Sequence, residues 1–179
     1  MGILNRLSRI FARLVANRPM VIQTGPDPAP EAKVKAYGSQ GRLEINELGI
    51  SVPLYDTSRG DAQKLVDDVD STAYLRWGAS VAIADHACQA NFANLSRAVP
   101  GRTIAIIDRK ISQERFICYQ TQVGHIRIIS PGVNRIFDAN WAPVQPQNAG
   151  GLTIYTCMGK SAEDVMDIRL TYWKKVNPQ

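Results

Sequence analysis

The sequence has few of the residues that mark several common classes of protein. Its three cysteines are an odd number and include no Cys-x-x-Cys pair, so neither a disulfide framework nor a paired zinc ligand set is predicted. One disulfide pair stays open, and the compartment therefore stays undetermined. Only two histidines and 7% aromatic residues occur. A proton-transfer histidine therefore has only two candidates.

The positive charge is concentrated at the N-terminus. The net charge is +5, and residues 1–18 hold Arg6, Arg9, Arg13 and Arg18 without an acidic residue. The remainder is close to neutral and lacks the basic stripe with interleaved aromatics that nucleic-acid-binding domains carry. We therefore expect no nucleic acid as a partner. A length of 179 residues with 45% hydrophobic content predicts one domain with a substantial core.

Residues 1–18 have the pattern of a basic amphipathic helix. The apolar residues at helical spacing are Ile3, Leu4, Leu7, Ile10, Phe11, Leu14 and Val15. Such a helix lies on an anionic membrane surface, packs on a partner, or covers a groove of its own domain, and the pattern does not decide among these. Because arginines interrupt every apolar run, neither a membrane span nor the core of a signal peptide is predicted here.

Two further segments follow. Residues 19–40 are rich in proline and glycine and predict an extended linker. Residues 41–179 form the folded domain. Its predicted strands cover 42–46, 50–55, 73–77, 79–84, 103–107, 114–120, 124–129, 151–157 and 165–173. Short helices are predicted at 61–69 and 91–98, and a long loop at 130–151. Because no βαβ alternation occurs, the pattern predicts a mainly β fold: a closed β-barrel of about eight strands with one or two short helices.

Two of the apolar runs end on chemically active side chains. Residues 81–85 lead to His86 and residues 152–156 lead to Cys157, while Arg169 stands on the last predicted strand. A thiol nucleophile, an imidazole proton carrier and a cation for a developing oxyanion are what acyl transfer through a thioester needs. Taken singly, each is more often structural: a small buried thiol, a hydrogen-bonded histidine or a solvated arginine.

The order of these segments resembles the sortase family over about 42–176. Gly41-Arg-Leu-Glu-Ile-Asn and Gly49-Ile-Ser-Val-Pro-Leu-Tyr look like the family's opening strand pair. Ile83-Ala-Asp-His86 is similar to its histidine motif, and Leu152-Thr-Ile-Tyr-Thr-Cys157 to its cysteine motif. Asp167-Ile-Arg169-Leu is similar to the strand that bears its arginine. The combination in this order is more specific than any single motif.

The sequence also departs from the family pattern. Asp85 stands where the family has a glycine before the histidine, and Arg102 stands where it has an aspartate. Cys88, close to His86, is not part of the pattern. The family's membrane anchor is not visible in the sequence.

The resemblance implies a cysteine transpeptidase that needs no cofactor and no metal. Cys157 would attack a sorting-signal peptide, and His86 would carry the proton. Arg169 would stabilise the oxyanion, helped by a backbone N–H near Thr156. The long loop lies where the family builds much of its sorting-signal pocket, so the candidate lining residues are Ile136, Trp141, Pro143 and Val144. The implied acceptor is an amine on a peptidoglycan precursor or a pilin-like protein. The implied location is the membrane or the cell surface, and a cytoplasmic location stays open.

Three alternatives to the transpeptidase stay open. The first is a catalytically impaired, sortase-like binding protein, because a carboxylate at Asp85 would change the protonation needed for attack. The second is a thiol hydrolase that uses water as the acceptor. The third is a metal site formed by His86, Cys88 and Cys157, although His-x-Cys lacks the usual paired spacing. The other histidine, His125, lies between two predicted strands and is expected on a turn or at the surface.

Overall fold

The computed structural model describes residues 37–57, 66, 72–88, 90–130, 133–162 and 164–176. The helix predicted for 1–18 and most of the 19–40 linker lie outside these residues, and β1 already begins at Ser39. The helix predicted for 61–69 also lies outside them, except that Val66 is helical. Among the described residues, no helix has the length and apolar character that crossing a bilayer requires.

Nine strands make up the described fold. They are β1 Ser39–Ile45, β2 Ile50–Asp56, β3 Thr72–Trp77, β4 Ser80–Asp85, β5 Ile104–Arg109, β6 Ser112–Ser130, β7 Val133–Asp138, β8 Gly151–Ala162 and β9 Val165–Val176. Two short 3₁₀ helices cover Asn46–Leu48 and Phe92–Arg97.

The strands close into a barrel. Their order is β5-β1-β2-β3-β4-β8-β9-β6-β7, and β5 also pairs with β6, so eight strands form the ring and β7 lies outside it. The pairs β2–β3 and β4–β8 are parallel, and the other pairs are antiparallel. The predicted mainly β fold, a closed barrel of about eight strands with one or two short helices, is confirmed.

The region predicted as two strands over 114–129 is one long strand, β6. It pairs with β5, then with β9, and finally with β7. The prediction left a break between the two strands at residues 121–123. The backbone continues there because β9 supplies its hydrogen-bond partners, and a register shift between Cys118 and Gln120 absorbs the irregularity.

The predicted loop 130–151 contains a further strand, β7. It pairs with the distal part of β6, which continues beyond the contact with β5. An open strand edge leaves backbone donors and acceptors unpaired, and β7 satisfies them on this side. The remaining connection, residues 139–150, folds back along β7 and leads into β8.

Apolar side chains pack on both faces of the β8–β9 pair. The barrel interior holds a core that includes Ile83, Phe92, Ile154 and Trp173, all with no exposed surface. The second cluster packs on the outer face around Met166, Ile168, Leu170 and Tyr172, and its partly buried members are Ile126, Ile136, Val144, Tyr155 and Cys157. The candidate nucleophile therefore belongs to the outer face.

Gly124 permits the close approach of β7 to the outer cluster. A methyl group at this position would lie 2.5 Å from Leu170 Cδ1 and 2.6 Å from the Phe137 carbonyl oxygen. We expect Gly124→Ala to lower the free energy of unfolding by about 1–3 kcal/mol, because overpacking at such distances forces backbone shifts. Urea denaturation measures this change, and an unchanged midpoint would contradict the packing described.

Candidate functional site

His86 directly follows β4, and Cys157 lies at the same level within the neighbouring strand β8. In the parallel β4–β8 pair, Asp85 is in register with Thr156. His86 follows Asp85 in the sequence, and Cys157 follows Thr156. Strands paired in this way lie about 4.8 Å apart. The structure therefore brings the predicted proton carrier and the predicted nucleophile to adjacent backbone positions.

The thiol of Cys157 is protonated at rest. Its side chain belongs to the outer cluster with Ile168 and Tyr155. Burial, together with the nearby Asp85 and Cys88, raises the pKa of Cys157 to about 11. Since a thiolate is the attacking species, the site needs a proton acceptor before this residue can act as a nucleophile.

Asp85 is a buried carboxyl group at the base of this site. Its Oδ2 accepts a hydrogen bond from Thr72 Oγ1 at 2.7 Å, and its Oδ1 accepts one from the His86 backbone N–H at 2.7 Å. Burial raises its pKa to about 6, against the lowering effects of both hydrogen bonds and of His86. Thr156 Oγ1 donates to the Asp85 carbonyl oxygen at 2.8 Å, so this residue connects β3, β4 and β8.

Arg169 lies near Cys157 in the sheet, but on the opposite face. It is opposite Thr156 in the β8–β9 ladder, whereas Cys157 is opposite Ile168. Directly paired residues share a face and neighbours along a strand alternate, so Arg169 and Cys157 are on opposite faces of the sheet. Arg169 Nε is buried and has no hydrogen-bond partner in the described part of the chain. It is a donor that an incoming group can satisfy.

The two other cysteines differ in exposure. Cys88 is exposed, Cys118 is buried in the barrel, and all three thiols are free. Among the described residues, no group of three or more His, Cys, Asp or Glu side chains is placed to hold a metal ion.

A cavity of about 530 Å³ lies on the outer face. Ile136, Pro143 and Val144 line it, as predicted from the long loop, and Ala82 and Tyr155 contribute from β4 and β8. Its lining also includes Arg76 and Arg135, which the sequence did not single out. They belong to β3 and β7, and nothing in a single sequence indicates that these two strands face one cavity.

Solved structures provide the comparison, since no family model and no curated protein matches the sequence. Sortase C1 of Streptococcus agalactiae is 16% identical over 98% of this chain and 87% of its own, with a TM-score of 0.52. Sortase C1 of Streptococcus suis is 12% identical over 97% and 96%, with a TM-score of 0.55. A pilus-related sortase C of group B Streptococcus is 13% identical over 78% and 68%, with a TM-score of 0.52.

The fold is that of the sortases. The resemblance seen in the sequence motifs is thereby confirmed for the architecture. At these identities the likeness carries the fold alone, so the roles of His86, Cys157 and Arg169 remain predictions.

Trp141 does not line the cavity of this sortase-like barrel. Its indole ring stacks on the His125 ring at a centroid distance of 4.4 Å and an interplanar angle of 8°. His125 Nδ1 lies 2.7 Å from Asp167 Oδ1. The expected turn or surface position of His125 is wrong, because the residue lies within β6 and its side chain is only 16% exposed. The pairing with β9 that makes this contact cannot be found from local pattern.

The segment 139–150 is fixed at both ends. Asp138 Oδ1 accepts hydrogen bonds from the backbone N–H groups of Asn140 and Ala142 at 2.8 and 2.9 Å. At the other end, Gln147 Nε2 donates to the Leu152 carbonyl oxygen at 2.6 Å and to Thr153 Oγ1 at 2.8 Å. Pro143 and the residues after it are thereby held over the outer face.

Removing the charge of Asp85 should change how stability depends on pH. Because its folded pKa of about 6 lies above its ordinary value of 3.8, the stability that its neutral form contributes is complete below pH 3.8. That contribution is lost as the pH rises through about 6, and it amounts to about 3 kcal/mol. Asp85→Asn keeps groups that can bond Thr72 and the His86 N–H. We expect the free energy of unfolding, measured with urea from pH 4 to 7, to show this decline in the native protein and not in the variant. The same dependence of stability on pH in both proteins would contradict its assignment to Asp85.

Loss of the Trp141 ring should loosen the segment 139–150. We expect Trp141→Ala to speed amide hydrogen exchange over 139–147, since the stack on His125 is the main aromatic contact of this turn. Ile111→Ala, at a side chain that is 98% exposed, is the matched control. Equal exchange rates in the native protein and the Trp141 variant would exclude an anchoring role.

Proposed function

We propose that this protein is a cysteine transpeptidase of the sortase kind. It cleaves a sorting-signal peptide through a thioester on Cys157 and transfers the acyl group to an amine. The observation that carries this proposal is the position of His86 and Cys157 at the same level of two adjacent parallel strands, near the cavity on the outer face. The sortase-like fold supports it.

In the proposed reaction His86 first accepts the proton of the Cys157 thiol. The thiolate attacks the carbonyl carbon of the scissile peptide bond and forms a tetrahedral oxyanion. His86 returns the proton to the leaving amine as the C–N bond breaks, which leaves a thioester. An incoming amine then attacks the thioester and loses its proton to His86. Collapse expels the thiolate and completes a new amide bond.

Arg169 is proposed to bind the substrate backbone and to stabilise the oxyanion. Its buried Nε donor has no partner among the described residues, and a carbonyl oxygen of the peptide is a suitable acceptor. Arg169 pairs with Thr156, the residue before Cys157, so the proposed contact lies one residue along the β8–β9 ladder from the thiol. A backbone N–H near Thr156 is the proposed second donor.

The fold supports the proposed partners. One of the similar structures is described as pilus-related, which supports a surface polypeptide with a sorting signal as the acyl donor. The acceptor is an amine of a pilin-like protein or of a peptidoglycan precursor. Ile136, Pro143 and Val144 would contact apolar side chains of the signal. Residues 1–18 are proposed to bind an anionic membrane surface, which would place the reaction at the membrane or the cell surface.

A second candidate is a sortase-like protein that binds the peptide without cleaving it. Two observations favour it: Asp85 raises the pKa of the Cys157 thiol, and Arg169 is on the opposite face of the sheet. In this case the cavity binds the sorting signal and the thiol stays protonated. Asp85→Asn, which removes the opposing charge, would then increase the reactivity of the thiol.

Product analysis decides between these functions. We expect a soluble Leu-Pro-x-Thr-Gly peptide with oligoglycine to give an amide-linked adduct by mass spectrometry. Cys157→Ala should reduce this to background, and Arg169→Gln should slow it about 100-fold or more, as for a lost oxyanion donor. Cys88→Ser, at an exposed thiol, is the matched control.

Each other outcome has a defined meaning. Cleavage without an adduct identifies a thiol hydrolase, and full turnover by Cys157→Ala would refute a thioester mechanism. Binding without cleavage by the native protein, together with faster thiol alkylation in Asp85→Asn, identifies the binding protein.

A further inference from the structure

Tyr155 lies on the same face of β8 as the candidate nucleophile. Residues two apart on a strand share a face, so its side chain is next to that of Cys157, with Cα atoms about 7 Å apart. The β8–β9 ladder agrees, because Tyr155 pairs with Leu170 and Cys157 with Ile168, and all four side chains belong to the outer cluster. The phenol is therefore the outer-face neighbour of the thiol on its own strand.

The hydroxyl group of Tyr155 is open to the cavity on the outer face. The residue belongs to the lining of that cavity of about 530 Å³ and is partly buried. Its hydroxyl has no hydrogen-bond partner within the described chain. Arg169 Nε is the one side-chain nitrogen or oxygen of the described residues that is both sealed from solvent and without a partner. The unpartnered Tyr155 hydroxyl is therefore not sealed, and a group bound in the cavity can reach it.

The phenol keeps its proton at neutral pH. Burial, together with the charge of an ionised Cys157 thiol, raises the pKa of Tyr155 to about 12. The hydroxyl group therefore lies within the electrostatic range of the thiol, which agrees with their positions on β8. A neutral phenol donates a hydrogen bond, and a fixed donor of this kind stabilises an oxygen that becomes negative during a reaction.

A donor on this face would complement Arg169. That arginine is opposite Thr156, so it lies on the other face of the sheet from the thiol. When Cys157 attacks a carbonyl carbon, the oxyanion forms one bond away from that carbon and hence on the outer face. A donor that already lies on the outer face can reach this oxygen without any rearrangement of the sheet.

We propose that Tyr155 is a further catalytic residue, whose hydroxyl group donates a hydrogen bond to the oxygen of the scissile carbonyl as Cys157 attacks it. The hydrogen bond strengthens as the oxygen becomes negative, and no proton is transferred, so the phenol is unchanged when the thioester has formed. The same donor serves the second tetrahedral intermediate, in which the amine attacks the thioester. The inference rests on the proposed function, and it names a donor for both intermediates.

Tyr155→Phe removes the hydroxyl group alone and tests this role on the full-length protein. With a Leu-Pro-x-Thr-Gly peptide and oligoglycine, we expect kcat to fall about 100-fold, as for other lost oxyanion donors, and KM to change less than about threefold. The matched control is Tyr172→Phe, which removes a hydroxyl from the same outer cluster. That hydroxyl accepts a hydrogen bond from Gln122 Nε2 at 2.9 Å, and its loss should leave kcat within about twofold of the native value.

Two small reagents separate the oxyanion from the reactivity of the thiol. Both are used in a Cys88→Ser background, so that the exposed thiol does not react. Acylation of Cys157 by 4-nitrophenyl acetate passes through an oxyanion, whereas alkylation by iodoacetamide occurs at a saturated carbon and forms none. We expect Tyr155→Phe to slow acylation about tenfold or more and to leave alkylation within about twofold. Mass spectrometry of the modified protein measures both rates.

Several results would overturn the proposal. Equal acylation rates with and without the hydroxyl would do so, and equal slowing of both reactions would show that the phenol acts on the thiol instead. A loss in Tyr172→Phe as large as in Tyr155→Phe would indicate a general effect of the outer cluster. Peptide turnover that Tyr155→Phe leaves intact refutes this inference alone. Slower ester acylation in Tyr155→Phe, without any adduct from the native protein, refutes the proposed transpeptidase alone. A Cys157 that reacts with neither reagent refutes both.

Discussion

The parallel contact between β4 and β8 is the constraint on which the site depends. These strands are far apart in the sequence, and their register places Asp85 beside Thr156 and the following residues side by side. A shift of one residue would move each side chain of β8 to the other face and separate the thiol from the outer cavity. The Thr156 hydroxyl, which donates to the Asp85 carbonyl oxygen at 2.8 Å, holds this register from within the sheet.

The outer face depends in turn on the strand that extends past the barrel. The distal part of β6 provides an edge for β7, and β7 carries both Ile136 and Arg135 to the cavity. The connection to β8 then covers this face, held by Asp138 at one end and by Gln147 at the other. A closed barrel alone would present a convex surface, so the concave site is a consequence of the additional strand and its anchored connection.

Local pattern was sufficient for much of this architecture. Alternation and β-branched runs predicted most strands, and the two runs that lead to His86 and Cys157 are paired strands in the structure. The face occupied by Arg169 could not be predicted, because it depends on the register across the β8–β9 turn, where two shifts occur between Cys157 and Val165. Arg76 and Arg135 were missed for a related reason: their strands are separated in the sheet by four others, and only the folded connection brings them to one cavity.

The charges around the thiol indicate how it would be activated. With a pKa of about 11, about one thiol in ten thousand is ionised at pH 7. Protonation of Asp85 removes one unfavourable charge, but it does so only below about pH 6, where a thiolate is rarer still. A fall in pH that neutralises Asp85 therefore cannot prepare the nucleophile. In the proposed reaction the thiol must transfer its proton to His86 after the peptide has displaced water from the groove. The buried carboxyl then acts against early ionisation, so that an unoccupied site keeps its cysteine in the unreactive form.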